Sequence, residues 1–244
     1  MKYIIGNWKM NMTAGEIVEF TRGVKKYKIP KNSPVQFGLA VPYVYLLGMA
    51  KLQGHVLIGA QNVSEHNNGA FTGEISAEML ADVGLDFCIV GHSERRTLFG
   101  ETNEMINEKI KKLQEYQVLP LLCIGETEEE FTAGKTKEVL HEQLTKCLAN
   151  INKEQEIIVA YEPVWAIGTG KTASIEIIKE TTAFIKQELQ SILGKLGTAV
   201  LYGGSVNPQN APAILHCEGV DGALIGGASL DAVSYTHLTL PTKR

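Results

Sequence analysis

Residues 157–163 read Ile157-Ile158-Val159-Ala160-Tyr161-Glu162-Pro163, five apolar positions in a row closed by a carboxylate and a proline. Side chains of a strand point alternately to its two faces, so a run apolar at every position is buried on both faces, as parallel strands are. From Ser174 onward the spacing changes. Ile175, Ile178, Ile185, Leu189 and Ile192 place an apolar stripe on one face of a helix, with lysines and glutamates opposite. Ser174 is the N-cap, followed by Ile175 and Glu176 in the first turn. A buried strand followed by an amphipathic helix is one βα unit.

The unit recurs at intervals of roughly thirty residues. Strands are predicted over Tyr3–Lys9, Val35–Pro42, Val56–Asn62, Phe87–Ser93, Leu119–Glu126, Ile157–Glu162, Thr198–Gly203 and Ala223–Gly227. A second clear helical stripe is Ile106, Ile110 and Leu113, capped by Thr102. No linker, low-complexity stretch or break in composition divides the chain. Eight consecutive units in one domain predict an α/β fold of (β/α)8 type, a closed barrel. The competing architecture is a doubly wound open sheet. It wants a glycine-rich fingerprint after the first strand, and that strand ends instead in Gly6-Asn7-Trp8-Lys9.

The 244 residues are 44% hydrophobic and 20% charged, enough to bury a sizeable core, and carry a formal net charge of −4. That balance argues against a nucleic-acid-binding surface and for a small-molecule partner, with any anion held in a local pocket. No apolar run is long enough to span a bilayer. Cys88, Cys123, Cys147 and Cys217 lie far apart without a C-x-x-C pair, so a structural zinc site is not expected. Met1 runs directly into Tyr3-Ile4-Ile5 without a secretory leader, which predicts reduced thiols in a cytoplasm.

In a barrel the side chains at the carboxyl ends of the strands face the site. Asn7 and Lys9 stand two apart at the end of the first strand and point to one side, after Gly6, although a lysine is by default a solvated surface residue. His92 lies in Gly91-His92-Ser93-Glu94-Arg95-Arg96, where the polar neighbours weigh against a satisfied core histidine without excluding it. Glu162 places a carboxylate at the mouth of an apolar strand, as suits a general base, or else pairs with an arginine. The segment Pro163–Lys171 joins proline, apolar and glycine residues in the manner of a hinged lid that excludes water. Gly203-Gly204-Ser205 and Gly226-Gly227 follow the last two strands and would expose backbone N–H groups at the usual phosphate position of barrels. The 14 residues from Val63 to Ser76 form an unusually long connection, open to reading as an oligomer contact, a second lid or a disordered loop.

The motifs Gly6-Asn7-Trp8-Lys9, Val90-Gly91-His92-Ser93-Glu94-Arg95-Arg96, Ala160-Tyr161-Glu162-Pro163-Val164-Trp165-Ala166-Ile167-Gly168-Thr169-Gly170, Tyr202-Gly203-Gly204-Ser205-Val206 and Leu224-Ile225-Gly226-Gly227-Ala228-Ser229-Leu230 resemble the triosephosphate isomerase family, in order, over residues 1–231. The resemblance implies a TIM barrel that interconverts dihydroxyacetone phosphate and D-glyceraldehyde 3-phosphate through an enediolate, in glycolysis and gluconeogenesis, without cofactor or metal. It implies Glu162 as the base and His92 as a neutral electrophile that relays protons among the oxygens. Lys9 supplies positive charge, with Asn7 beside it and Glu94 as the partner of the lysine. Phosphate is expected on N–H groups of Gly168, Ser205, Gly226 and Gly227. It further implies a homodimer, with Thr72 of one chain near Asn7 and Lys9 of the other. Another phosphosugar-binding barrel should lack the set Asn7, Lys9, His92 and Glu162.

The chain departs from the family after Leu230. Asp231-Ala232-Val233-Ser234-Tyr235-Thr236-His237-Leu238-Thr239-Leu240-Pro241-Thr242-Lys243-Arg244 has no helical stripe, and Pro241 would break a helix. Residues 1–231 are therefore expected to form the barrel, and 232–244 an atypical, non-native tail in place of the last helix. Uncovering that flank would leave a catalytically weak phosphate-binding barrel as the alternative.

Overall fold

The computed structural model describes residues 1–25, 33–51, 56–167 and 172–237. Eight strands, β1 (Lys2–Asn7), β2 (Val35–Val41), β3 (Val56–Ala60), β4 (Phe87–Val90), β5 (Leu119–Ile124), β6 (Ile158–Tyr161), β7 (Ala199–Tyr202) and β8 (Gly222–Ile225), pair in chain order and close β8 onto β1. All eight pairings are parallel. The predicted closed barrel is the observed one, and the open sheet is excluded. Among the described residues the helices are α1 (Ala14–Lys25), α2 (Tyr43–Ala50), α3 (Ala77–Val83), α4 (Ser93–Phe99), α5 (Asn103–Glu115), α6 (Glu128–Thr132), α7 (Thr136–Cys147), α8 (Ile175–Leu193), α9 (Ala211–His216) and α10 (Ala232–His237). The predicted caps Thr102 and Ser174 accept the N–H groups of Met105 and Ile177 at 3.2 and 3.3 Å.

Strand alternation divides the interior in two. Ile5, Ala40, Phe87, Ile89, Leu121, Cys123, Ile158, Ala160, Leu201 and Leu224 fill the barrel lumen. Their neighbours Cys88, Val90, Leu122, Ile124, Val159 and Tyr161 face outward into the layer between sheet and helices, where Ile106, Ile110, Ile178, Ile185 and Leu189 meet them. Each fully buried aliphatic side chain of that layer contributes about 1.5–3 kcal/mol. Several ladders stop before the predicted strand ends, and the polar residues of interest lie just past those stops.

The long connection after β3 is ordered. Its base is closed by the N–H of Ser64 on the carbonyl of Ile75 at 2.8 Å, and His66 stacks on Phe71 with ring centroids 3.8 Å apart. Thr72 is exposed in this loop.

The expected loss of helix after Asp231 is corrected over Ala232–His237, which form α10. A helix of six residues needs no stripe, only one anchor, and Tyr235 supplies it. The Tyr235 ring is buried against Phe20 of α1 and Phe37 of β2. Its hydroxyl donates to the carbonyl of Gly38 at 2.9 Å, with that of Ile4 at 3.3 Å. Gly23 permits the approach: a Cβ there would stand 2.6 Å from that of Ala232. Tyr235 thus covers the side of α1 and the stretches of β1 and β2 next to this segment. Pro241 and the rest of 238–244 fall outside the described residues.

Candidate active site

Asn7, Lys9, His92, Glu162, Ser205, Gly226 and Gly227 line one cavity of about 320 Å³ at the carboxyl ends of the strands, with Ile167, Gly204, Asn207 and Leu224 among the remaining walls. Asn7, at the last position of β1, keeps the parity of Ile5 and so turns inward. Its Oδ1 accepts the N–H of Lys9 at 2.9 Å. That bond supports an uncommon backbone, because Lys9 has φ +52°, a region that costs L residues of order 1 kcal/mol. The carbonyl of Lys9 is fixed as well. The Gln61 side-chain amide donates to it at 2.9 Å and to the carbonyl of Ala40 at 3.1 Å. Held in this way, the Lys9 ammonium meets Glu94 Oε1 at 2.5 Å.

His92 is aimed by Gly91. By the parity of β4, residue 92 would turn outward with Cys88 and Val90, but Gly91 has φ +69° and reverses the direction. The imidazole Nδ1 accepts the N–H of Glu94 at 3.2 Å at the start of α4. An accepting Nδ1 carries no proton, so the neutral ring bears its proton on Nε2. Nε2 stands 3.2 Å from Glu162 Oε1. The other carboxylate oxygen of Glu162 accepts the N–H of Ser93 at 3.0 Å, and the side chain is 2% exposed. Gly203 leaves room for it: a Cβ there would come within 2.8 Å of Glu162 Cγ.

Beyond Glu162 the chain makes a 3-10 turn over Val164–Ala166, while Gly168–Lys171 fall outside the described residues. Gly168, expected to bind phosphate, is among them. The turn is latched by Glu126, which the sequence marks only as the end of a strand. Glu126 Oε1 accepts Trp165 Nε1–H at 2.9 Å and Tyr161 O–H at 3.0 Å, and the Trp165 ring stacks on Phe131. Glu126 is wholly buried, and burial raises its carboxyl above the usual range against those two hydrogen bonds. The signal that could have found it is the one that marked Glu162, a carboxylate closing an apolar run. Gln61 gave no comparable signal.

On the opposite wall, the N–H groups of Ser205, Gly226 and Gly227 make no backbone hydrogen bond to the described residues. Free N–H groups beside a lysine form a cradle for an anion. Thr72 does not line the cavity. The site therefore joins a buried carboxylate, a neutral imidazole donor, a cation and an anion cradle, the parts needed to move a proton between adjacent carbons of a small phosphorylated carbonyl compound.

The family model described as triosephosphate isomerase matches residues 2–240. The chain belongs to the triosephosphate isomerase family. Proteins named triosephosphate isomerase from Mycoplasmoides gallisepticum and Mycoplasma mobile are each 44% identical to it, over 97% of this chain and 96% and 98% of their own lengths. One from Alkaliphilus metalliredigens is 44% identical over 95% of this chain and 96% of its own. The triosephosphate isomerase family match runs through all eight strands and continues through α10.

Proposed function

We propose that the chain interconverts dihydroxyacetone phosphate and D-glyceraldehyde 3-phosphate, a step of glycolysis and gluconeogenesis, with Glu162 as base and His92 as proton relay. The observation that carries this reading is the 3.2 Å contact between His92 Nε2 and Glu162 Oε1 beside the anion cradle. Substrate carbonyl and hydroxyl oxygens replace that contact. Glu162 takes the proton from the carbon next to the carbonyl and becomes a carboxylic acid. The charge that develops on oxygen is met by the Lys9 ammonium and by the Nε2–H of His92, which passes its proton to one oxygen and regains one from the other. Glu162 then returns its proton to the neighbouring carbon. The phosphate rests on the N–H groups of Ser205, Gly226 and Gly227, joined by Gly168 of the lid. A closed lid keeps water from the enediolate, whose loss of phosphate water would favour.

The exposed, ordered loop bearing Thr72 supports a homodimer in which this residue approaches Asn7 and Lys9 of the second copy. Among the described residues no helix is long and apolar enough to cross a membrane, and four free cysteines fit a cytoplasmic setting. The test is a coupled isomerase assay on the purified chain beside Glu162→Gln. Turnover lost in the variant is the expected result, and a soluble, folded, inactive parent chain would refute the proposal.

A further inference from the structure

We propose that Arg96 is a positioning residue for His92: its guanidinium ties the Gly91–His92 turn to the end of β5 and so fixes where the imidazole points. The inference rests on the reading of His92 as the proton relay. Arg96 lies in α4, one turn after His92. Its Nε–H donates to the carbonyl of Gly91 at 2.8 Å, Nη1–H to Asn103 Oδ1 at 2.6 Å, and Nη2–H to the carbonyl of Cys123 at 3.2 Å, with Cys147 Sγ at 3.7 Å. All of these acceptors are uncharged. The next residue back, Arg95, makes the ordinary choice and pairs with the Glu101 carboxylate.

The two carbonyls explain why a cation stands there with no ion pair to a carboxylate among the described residues. They belong to the ends of neighbouring strands, β4 and β5, and a rigid guanidinium fork spans both where a lysine reaches one. Gly91 is the pivot that turns His92 inward, and it also admits the arginine. A Cβ on Gly91 would meet Arg96 Nη2 and Ile106 Cδ1 at 3.0 Å and the Cys123 carbonyl at 3.1 Å. One residue beyond Cys123, the carbonyl of Ile124 accepts the N–H of Glu162 at 2.7 Å. The path from His92 to its partner carboxylate thus runs Gly91, Arg96, Cys123, Ile124, Glu162, with the guanidinium as its side-chain link. Arg96 touches neither Lys9 nor the N–H groups of the anion cradle, so loosening it disturbs proton relay and leaves substrate binding in place.

The test compares Arg96→Gln and Arg96→Lys with His92→Gln in the full chain, reading kcat and KM in the coupled assay and the imidazole ¹⁵N resonances of His92. The expected result for Arg96→Gln is a kcat about 20-fold or more below the parent with KM within about threefold, and displaced His92 resonances are expected in each Arg96 variant that folds. Arg96→Lys, which can restore one of the two carbonyl contacts, should recover part of the loss. A smaller fall in kcat for Arg96→Gln, a KM that rises as steeply as kcat falls, or unmoved resonances would overturn the inference, as would failure of both Arg96 variants to fold, which would make the residue an anchor of the fold alone. If His92→Gln keeps full activity, the relay reading of His92 itself is lost. If that variant is impaired while the Arg96 variants are not, only the positioning role falls.

Discussion

His92 Nε2 and Glu162 Oε1 stand 3.2 Å apart although their strands, β4 and β6, do not pair with each other; β5 lies between them. No local sequence constraint sets that distance, which follows from barrel closure and from the turn at Gly91. Shortening Glu162 by one methylene keeps the carboxylate and withdraws it from both His92 and substrate carbon. Glu162→Asp is expected to lower kcat by about 10²–10³ with KM little changed, because a misplaced base weakens proton transfer more than binding. Steady-state kinetics in both directions check this, and a loss confined to KM would mean that Glu162 binds substrate without acting as base.

Gly203 bears on the same carboxylate from the other side. Gly203→Ala would bring a Cβ within 2.8 Å of Glu162 Cγ and 3.3 Å of the Tyr161 carbonyl. The side chain that must yield is that of the proposed base. The variant is expected to lose about 1–3 kcal/mol of stability, as overpacked sites do, and to lose turnover beyond what that instability explains. Urea unfolding and kcat on the same samples separate the two effects, and parental activity in a folded variant would show that Glu162 has room to spare.

The strands were legible because parallel strands covered on both faces must be apolar at every position, as Ile157–Tyr161 are. Asn7 and Glu162 were legible because each breaks such a run at its carboxyl end. The inward aim of His92 was not, since parity alone sends residue 92 outward and only the positive φ of Gly91 reverses it. The left-handed Lys9 and its hold by Gln61 depend on contacts between strands, which spacing along one strand does not reveal. Helix α10 escaped for a different reason: one buried tyrosine anchors it, and a single residue makes no periodicity.

Glu126 gives the chain a pH-dependent weakness. Burial raises its carboxyl in the folded protein, so the native state holds that proton more tightly than the unfolded chain does. Its contribution to stability is therefore full below the ordinary carboxylate range and is lost as pH rises through the elevated native value. Glu126→Gln keeps an oxygen to accept from Tyr161 and Trp165 and cannot ionise. The melting temperature of the variant minus that of the parent is expected to grow as pH rises from about 4 to 8. Thermal melts across that range check it, and a difference that stays constant would show that ionised Glu126 is tolerated without cost.

Cys88, Cys123 and Cys147 are wholly buried, and burial raises each thiol above its usual range, with the Glu162 carboxylate adding to the effect at Cys123. The thiolate is the reactive form, so these residues are doubly protected. Iodoacetamide at about pH 8 is expected to leave all three unmodified in the native protein and to label them after denaturation. Mass spectrometry of the peptides reads the outcome, and native labelling of Cys123 would mean that the barrel lumen opens readily.

Tyr235 decides how much the end of the chain matters. Its ring fills the space between Phe20 and Phe37, and its hydroxyl is buried on the carbonyls of Gly38 and Ile4. Tyr235→Phe removes only the hydrogen bonds and is expected to cost about 1 kcal/mol. Tyr235→Ala also empties the pocket and is expected to cost about 3–5 kcal/mol, a large share of the 5–15 kcal/mol typical of a domain. Both effects should appear in urea unfolding, with kcat of the folded fraction near that of the parent, since no group of Tyr235 lines the cavity. An Ala variant as stable as the parent would mean that α10 leaves this groove at little cost in solution, whereas a steep loss of stability with kcat preserved would mean that six residues and one ring hold the barrel closed beside β1 and β2.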